Sequence, residues 1–277
     1  MSWFEAVVLG VVQGLTEFLP ISSNAHLRIV GAVFGWHDPG AAFTAIIQIG
    51  TELAVLLYFA KDIGRIVAAW VSSLFNRERR GDPDARMGWL IIVGSIPIVI
   101  LGLLFQKQIE TNLRDLRIIA IALVVFSLVL YVADRRGAKT RHIDELTVGH
   151  GVTYGLAQAL ALIPGVSRSG GTITAGLFLG YTREAAARYS FLLAIPAVLG
   201  SGLYEAYKAF KGGIAGAQVE WPPTILATVL AFGVGLAVIA WLLRYLVRGS
   251  FVPFVVYRIV LGLLVLALVG TGVLNPT

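Results

Sequence analysis

The chain has 277 residues, 57% of them hydrophobic and 14% charged, with a mean hydropathy of +0.81; that excess of apolar over charged residues excludes an ordinary soluble domain and predicts a membrane protein. The absence of cysteine excludes disulfides, thiolate catalysis and cysteine-based metal centres. The formal net charge of +6 does not predict a nucleic-acid partner, because the basic residues fall between apolar runs, where the positive-inside rule accounts for them.

The first Lys or Arg is Arg28, so the basic n-region of a secretory signal is missing and the N-terminus is expected to be retained. The first apolar stretch contains "TEFLPISSNAH", residues 16–26, which puts a carboxylate, a proline, two serines and a histidine where leucine would suit lipid or core better. Apolar runs follow at 41–60, 88–105 and 118–133. A second interrupted stretch, "LALIPGVSRSGGTIT", precedes runs at 189–204, 224–243 and 254–273. Each run approaches the roughly 20 residues a helix needs to cross a bilayer core, and the alternation of a β-barrel is absent. Trp36, Trp70, Trp89 and Trp221 near run ends predict interfacial anchors. His37, His142 and His150 fall at segment ends, where solvent exposure suffices.

The chain echoes itself. "GLTEFLPISSNAHLRIVGAVFG" (Gly14 to Gly35) parallels "GLAQALALIPGVSRSGGTITAGLFLG" (Gly155 to Gly180), with Glu17 opposite Gln158 and Pro20 opposite Pro164. The halves are about 1–137 and 146–277, joined by a linker at 138–145 that is expected to be cytoplasmic. In each half the proline divides an apolar stretch into arms of about 15 residues, which span only about 22 Å. Such arms predict re-entrant hairpins, at about 5–35 and 148–181. Their non-helical tips must be buried in protein or line a wet cavity, because lipid cannot satisfy free N–H and C=O groups. The expected fold is an all-α integral membrane protein with an inverted-topology repeat, each half a re-entrant helical hairpin plus three transmembrane helices. The rival is eight plain spans.

One set of loops holds the basic residues between Lys61 and Arg86, those from Arg135 to Arg141, and Arg183, Arg188, Arg244 and Arg248; the other set holds only Lys107, Arg114, Arg117, Lys208 and Lys211. Assigning the richer side to the cytoplasm puts both termini outside and lets the two tips meet near mid-membrane.

An ionisable residue in the middle of a span demands a partner or a function, and Glu17 and Arg168 are expected to be each other's partners. Gln13 and Glu17 share a helix face at i, i+4; after Pro20, Ser22 or Ser23 can cap the next helix, with His26 about one turn inside it. The first tip thus gathers the parts that activate an oxygen nucleophile. The second, Ser167, Arg168, Ser169, Gly170, Gly171 and Thr172 at a helix start, reads as an anion cradle with a forked guanidinium. Taken singly, these residues could be caps, a snorkelling arginine and a packing face; together they predict one site. Glu52, at i, i+4 from Gln48, either lines the same cavity or is buried beside a polar partner.

"QGLTEFLPISSNAH" and "LIPGVSRSGGTIT" resemble the two signature regions of the undecaprenyl-diphosphate phosphatases of the BacA/UppP type, membrane enzymes associated with bacitracin resistance, and the resemblance covers nearly the whole chain. It implies hydrolysis of the C55 lipid diphosphate to the monophosphate, which recycles the carrier for peptidoglycan precursors in a bacterial cell membrane. By resemblance the acidic motif falls on Gln13 and Glu17, the histidine on His26, and the hydroxyl on Ser23 with Ser22 adjacent. Phosphate binding falls on Ser167, Arg168, Ser169 and Thr172. The family's dependence on divalent cations implies Mg²⁺ or Ca²⁺, with Glu17 and Gln13 as ligands; glutamine at 13 removes one anionic ligand, so substrate phosphate would have to share the ion. His26 is expected to act as general base on Ser23 or on a water. The expected partners are a polyprenyl diphosphate and membrane lipids. The sequence leaves open the oligomeric state, a homodimer included, and the main alternative function is a polyprenyl-phosphate carrier or flippase.

Overall fold

The apolar runs become helices in the computed structural model, which describes residues 1–276 except 39, 111 and 212–218, and the side chains of all of these but 41, 107, 110 and 112. The side chain of Lys107, counted among the sparser loop charges, thus lies outside the described residues. In chain order the helices are α1 (Trp3–Thr16), α2 (Ser23–Val33), α3 (Gly40–Tyr58), α4 (Ala60–Phe75), α5 (Pro83–Leu104), α6 (Gln106–Glu110) and α7 (Leu116–Arg136), then α8 (Val148–Ala159), α9 (Arg168–Phe178), α10 (Arg183–Phe210), α11 (Trp221–Leu246) and α12 (Val252–Gly270). Among the described residues five of them, α5, α7, α10, α11 and α12, are long and apolar enough to cross a membrane, and α3 with α4 makes a sixth candidate bent by 80°.

Local chemistry sets the boundaries. Ser2 and Glu5 form a capping box that starts α1; Asp82 with Pro83 starts α5, Asp115 starts α7, and Thr147 and Thr182 cap α8 and α10. Arg135 and Arg136 sit in the last turn of α7, where cations suit the helix dipole. The short helices α1, α2, α8 and α9 have 14, 11, 12 and 11 residues. At 1.5 Å per residue none reaches about 22 Å, well short of a bilayer core.

α1 packs on α2 and on α11, α8 packs on α9 and on α5, α3 packs on α10 and α11, and α7 packs on α12. Small residues permit the closest of these approaches. A Cβ on Gly155 of α8 would lie 2.5 Å from the Gly94 carbonyl oxygen of α5, and one on Gly10 of α1 would lie 2.5 Å from that of Ala227 in α11.

Polar contacts gather the loops at two ends. At one, Arg183 bonds Asp134 at 2.6 Å, the Phe251 N–H donates to the same carboxylate, Arg188 reaches Asp62 at 2.9 Å, and Arg86 donates to the Asp144 carbonyl. At the other, Arg114 pairs with Asp38, the Leu116 N–H donates to the Pro276 carbonyl at 2.9 Å, and the N-terminal ammonium meets Glu220 at 3.0 Å.

Candidate active site

The segments between α1 and α2 and between α8 and α9 meet inside the helix bundle. Each ends on a serine in the left-handed region, Ser22 at φ 73° and Ser167 at φ 72°, immediately before the helix that leads away. A β-carbon disfavours this conformation, so the surroundings must hold it. Ser167 is held as a cap, its Oγ accepting from the Gly170 N–H at 3.1 Å. Ser22 corrects an expectation: it stands at the N-cap position of α2, but its side chain makes no capping bond there. Its Oγ instead accepts from the Gly165 N–H of the other tip at 3.2 Å.

Glu17, at the end of α1, is the hub. Its Oε1 accepts from Arg168 Nη2 at 2.7 Å, and its Oε2 accepts from Gln13 Nε2 at 2.8 Å and from Ser23 Oγ at 2.5 Å. The pair is buried, at 5% side-chain exposure for Glu17 and 14% for Arg168. Opposite charges from the two tips thus neutralise each other where an isolated ion would be unfavourable.

Arg258 of α12 is the residue that the sequence reading missed. It is fully buried and donates to three backbone carbonyls, Pro20 at 2.8 Å, Gly165 at 2.8 Å and Val166 at 3.1 Å. The breaks in helix geometry free these carbonyls, and one guanidinium satisfies oxygens of both tips. A Cβ on Gly170 would lie 2.9 Å from Arg258 Nη1, so this glycine makes room for the clamp. The signal was available: an arginine within the 254–273 run is conspicuous by the same criterion that singled out Glu17.

The remaining predicted residues divide by what they face. A cavity of about 520 Å³ is lined at its inner end by Glu17, Ser22, Ser23, Pro164, Ser167 and Arg168. α3, α5 and α10 supply Thr44, Gln48, Val99, Gly102 and Pro196 to its walls, and Arg114, Tyr204 and Glu205 line it farther along. Gln13, His26, Ser169, Gly170 and Thr172 do not line it. Thr172 is fully buried and bonds the Arg168 carbonyl at 2.8 Å and Ser190 Oγ at 2.5 Å, while Ser169 Oγ donates to the Leu19 carbonyl at 3.0 Å. Both are placed as internal supports of the tips.

His26 lies in the first turn of α2, with Nδ1 2.8 Å from the Ser22 carbonyl and Nε2 2.7 Å from Tyr257 Oη. A carbonyl only accepts, so Nδ1 carries a proton, and a neutral ring receives the Tyr257 hydroxyl at Nε2. Among the described residues the Ser23 hydroxyl bonds Glu17, not His26. The proton acceptor beside that hydroxyl is therefore a carboxylate.

Along the cavity from the tips, Arg114 makes a two-pronged pair with Asp38, which is also 3.6 Å from Arg28. Burial alone would raise the Asp38 carboxyl, but the hydrogen bond and charge of Arg114, the Gly40 amide and the charge of Arg28 outweigh it and hold the group below the ordinary carboxylate range.

Among the described residues no three His, Asp or Glu side chains group as they would around a metal ion. Glu17 offers one carboxylate, and the Gln13 Oε1 beside it is a buried acceptor without a donor. Of the two only Glu17 lines the cavity, so a hard cation there would be shared between one carboxylate and substrate phosphates and not caged by the protein.

The chain has relatives along nearly its whole length. The sequence profile of the bacitracin resistance protein BacA family matches residues 6–264. The chain is 62% identical over 277 residues to an undecaprenyl-diphosphatase of Pseudarthrobacter chlorophenolicus, covering 99% of this chain and 100% of that protein. It is 59% identical over 288 residues to undecaprenyl-diphosphatase 2 of Streptomyces coelicolor, covering 100% of this chain and 98% of that protein. An undecaprenyl-diphosphatase of Renibacterium salmoninarum is 59% identical over 278 residues, covering 100% and 99%.

Proposed function

The chain belongs to the bacitracin resistance protein BacA family, and on that premise we propose that it hydrolyses undecaprenyl diphosphate to undecaprenyl phosphate and inorganic phosphate, recycling the lipid carrier of peptidoglycan synthesis. It is a multi-pass helical membrane protein. The observation that carries the catalytic reading is the Glu17–Arg168 pair at the inner end of a largely apolar cavity, with the Ser23 hydroxyl on the same carboxylate. A phosphate with two or more charges competes for Arg168 better than one carboxylate does. As Arg168 turns to the substrate, Glu17 is freed to take the Ser23 proton.

Ser23 Oγ then attacks the terminal phosphorus, and the bond to the bridging oxygen breaks with its electron pair leaving on the lipid phosphate. Glu17 hands its proton to that departing group. It next takes a proton from the attacking water and returns it to Ser23 Oγ as the phosphoserine breaks. Arg168 stabilises the charge on the transferring phosphoryl group throughout. His26, fixed from its other side by the Tyr257 hydroxyl, holds the Ser22 carbonyl, and with it the tip that presents Ser23. A divalent cation, held by Glu17 together with the substrate phosphates, would add neutralising charge.

The re-entrant, inverted reading of the halves belongs to the same proposal. It is supported by the pairing of contacts: α1 on α11 matches α8 on α5, α3 on α11 matches α10 on α5, and α7 pairs with α12. With the basic end in the cytoplasm the cavity leads from the tips toward the extracytoplasmic side.

The test is phosphate release from undecaprenyl diphosphate by purified protein in detergent. Wild type should turn over, Arg168→Ala and Glu17→Gln should each lose about 100-fold or more, and Ser23→Ala should yield no trapped phosphoserine. Full activity in Ser23→Ala would exclude its attack. Movement of lipid between liposome leaflets with no phosphate released would favour the carrier alternative instead.

A further inference from the structure

Behind the cavity stands a second carboxyl that the mechanism leaves unused. Glu52 is 1% exposed. It lies one helical turn beyond Gln48 on α3 and continues the stripe of Thr44, Ala45 and Gln48 that lines the cavity. Its Oε1 is buried with no hydrogen-bond partner, and so is Nη1 of Arg168. Glu52 stands within electrostatic reach of Arg168 and Glu17.

A buried acceptor without a donor and a buried donor without an acceptor, in one electrostatic neighbourhood, are each unfavourable unless they find a partner. Nη1 is closed off from the cavity, so it is not the arm that grips a ligand and is left for an internal acceptor. Gln13 Oε1 is another such acceptor, but its amide is uncharged and already fixed on Glu17 through Nε2. In the structure Arg168 has one carboxylate anchor, Glu17, through Nη2. The hydrolytic reading requires that anchor to be released as the substrate binds, and a guanidinium without a second anchor would lose its orientation at that moment.

We propose that Glu52 is a positioning residue for Arg168: as the diphosphate draws Nη2 off Glu17, the Glu52 carboxyl receives Nη1, directly or through one water, and keeps the guanidinium turned toward the cavity. The proposal rests on the hydrolytic reading above.

The test uses the purified full-length protein with two readouts, phosphate release and binding of a methylene-bridged lipid diphosphonate that cannot be cleaved. Glu52→Leu fills the same volume and removes the acceptor. It should leave thermal stability unchanged or raised, yet weaken diphosphonate binding and lower kcat/KM about ten- to a hundredfold. Glu52→Gln keeps an acceptor oxygen and should recover most of the loss. In an Arg168→Lys background, whose single ammonium lacks the second arm, Glu52→Leu should weaken diphosphonate binding no further. Wild-type binding and turnover in Glu52→Leu, or in Glu52→Met should the leucine variant not fold, would overturn the proposal. So would an equal loss with and without the Arg168 guanidinium. Wild type that binds diphosphonate through Glu52 but releases no phosphate would overturn the hydrolytic reading alone.

Discussion

Removing Arg258 would leave three carbonyl oxygens of two different tips without their donors at once. Arg258→Met, similar in length and apolar, should therefore destabilise the protein by about 3–5 kcal/mol, because each buried acceptor left unpaired costs about 1–3 kcal/mol and removal of the buried charge offsets part of the sum. Thermal unfolding in detergent should show the loss, and phosphate release should fall with it because the tips no longer register. Arg258→Lys keeps the charge but cannot fork between Pro20 and Gly165, and should recover only part of the stability. Glu17 and Arg168 were legible at this scale because an ion in oil demands a partner, and each had the other as its natural candidate. His26 was legible as a polar residue beside the break, but its partner Tyr257 lies 231 positions away and no local pattern could name it. Ser22 was misread for the same reason: its hydroxyl answers Gly165, 143 positions along.

At the scale of elements, the six apolar runs reappear as α3, α5, α7, α10, α11 and α12, since length and hydropathy alone determine such helices. α4 escaped notice because its residues alternate between burial, as at Ile66 and Ala69, and exposure, as at Val67 and Phe75, which is the pattern of a surface helix and not of a span. Packing between elements carries a direct test. Gly155→Ala would force a methyl to within 2.5 Å of the Gly94 carbonyl oxygen and part α8 from α5, at a cost of about 1–3 kcal/mol. Gly64→Ala in α4 meets nothing within 4 Å and should be neutral or stabilising by up to about 1 kcal/mol, so the pair separates contact from helix propensity in one unfolding experiment. The loop pair Asp38–Arg114 adds a pH signature. Its carboxyl is held below the ordinary range in the folded state, so the contribution is present above about pH 4 and is lost as pH falls through the depressed folded value. Stability measured against pH should decline there in wild type, and Asp38→Asn should be less stable at neutral pH and lack that part of the decline.

For the whole molecule the decisive quantity is which loops share a face of the membrane. If α1 with α2 and α8 with α9 are re-entrant, each pair enters and leaves on one side, and three spans between them place the two mouths on opposite sides. The charge distribution then predicts the faces: the end where Asp62, Arg86, Asp134, Asp144 and Arg183 meet is expected in the cytoplasm, and the end where Met1, Asp38, Arg114 and Pro276 meet outside it. The natural lack of cysteine makes the chain its own background for single-cysteine labelling. His37→Cys and Val273→Cys, both exposed, should react with a membrane-impermeant maleimide in intact cells. Arg80→Cys, Asp144→Cys and Arg248→Cys, also exposed, should react only after the membrane is opened. A reversed pattern would keep the inverted architecture but refute the charge assignment and turn the cavity toward the cytoplasm. Equal labelling of His37→Cys and Asp144→Cys in intact cells would remove the inversion itself. The two tips would then have no reason to approach from opposite sides, and the contact between Glu17 and Arg168 would need another explanation than the duplication of a hairpin.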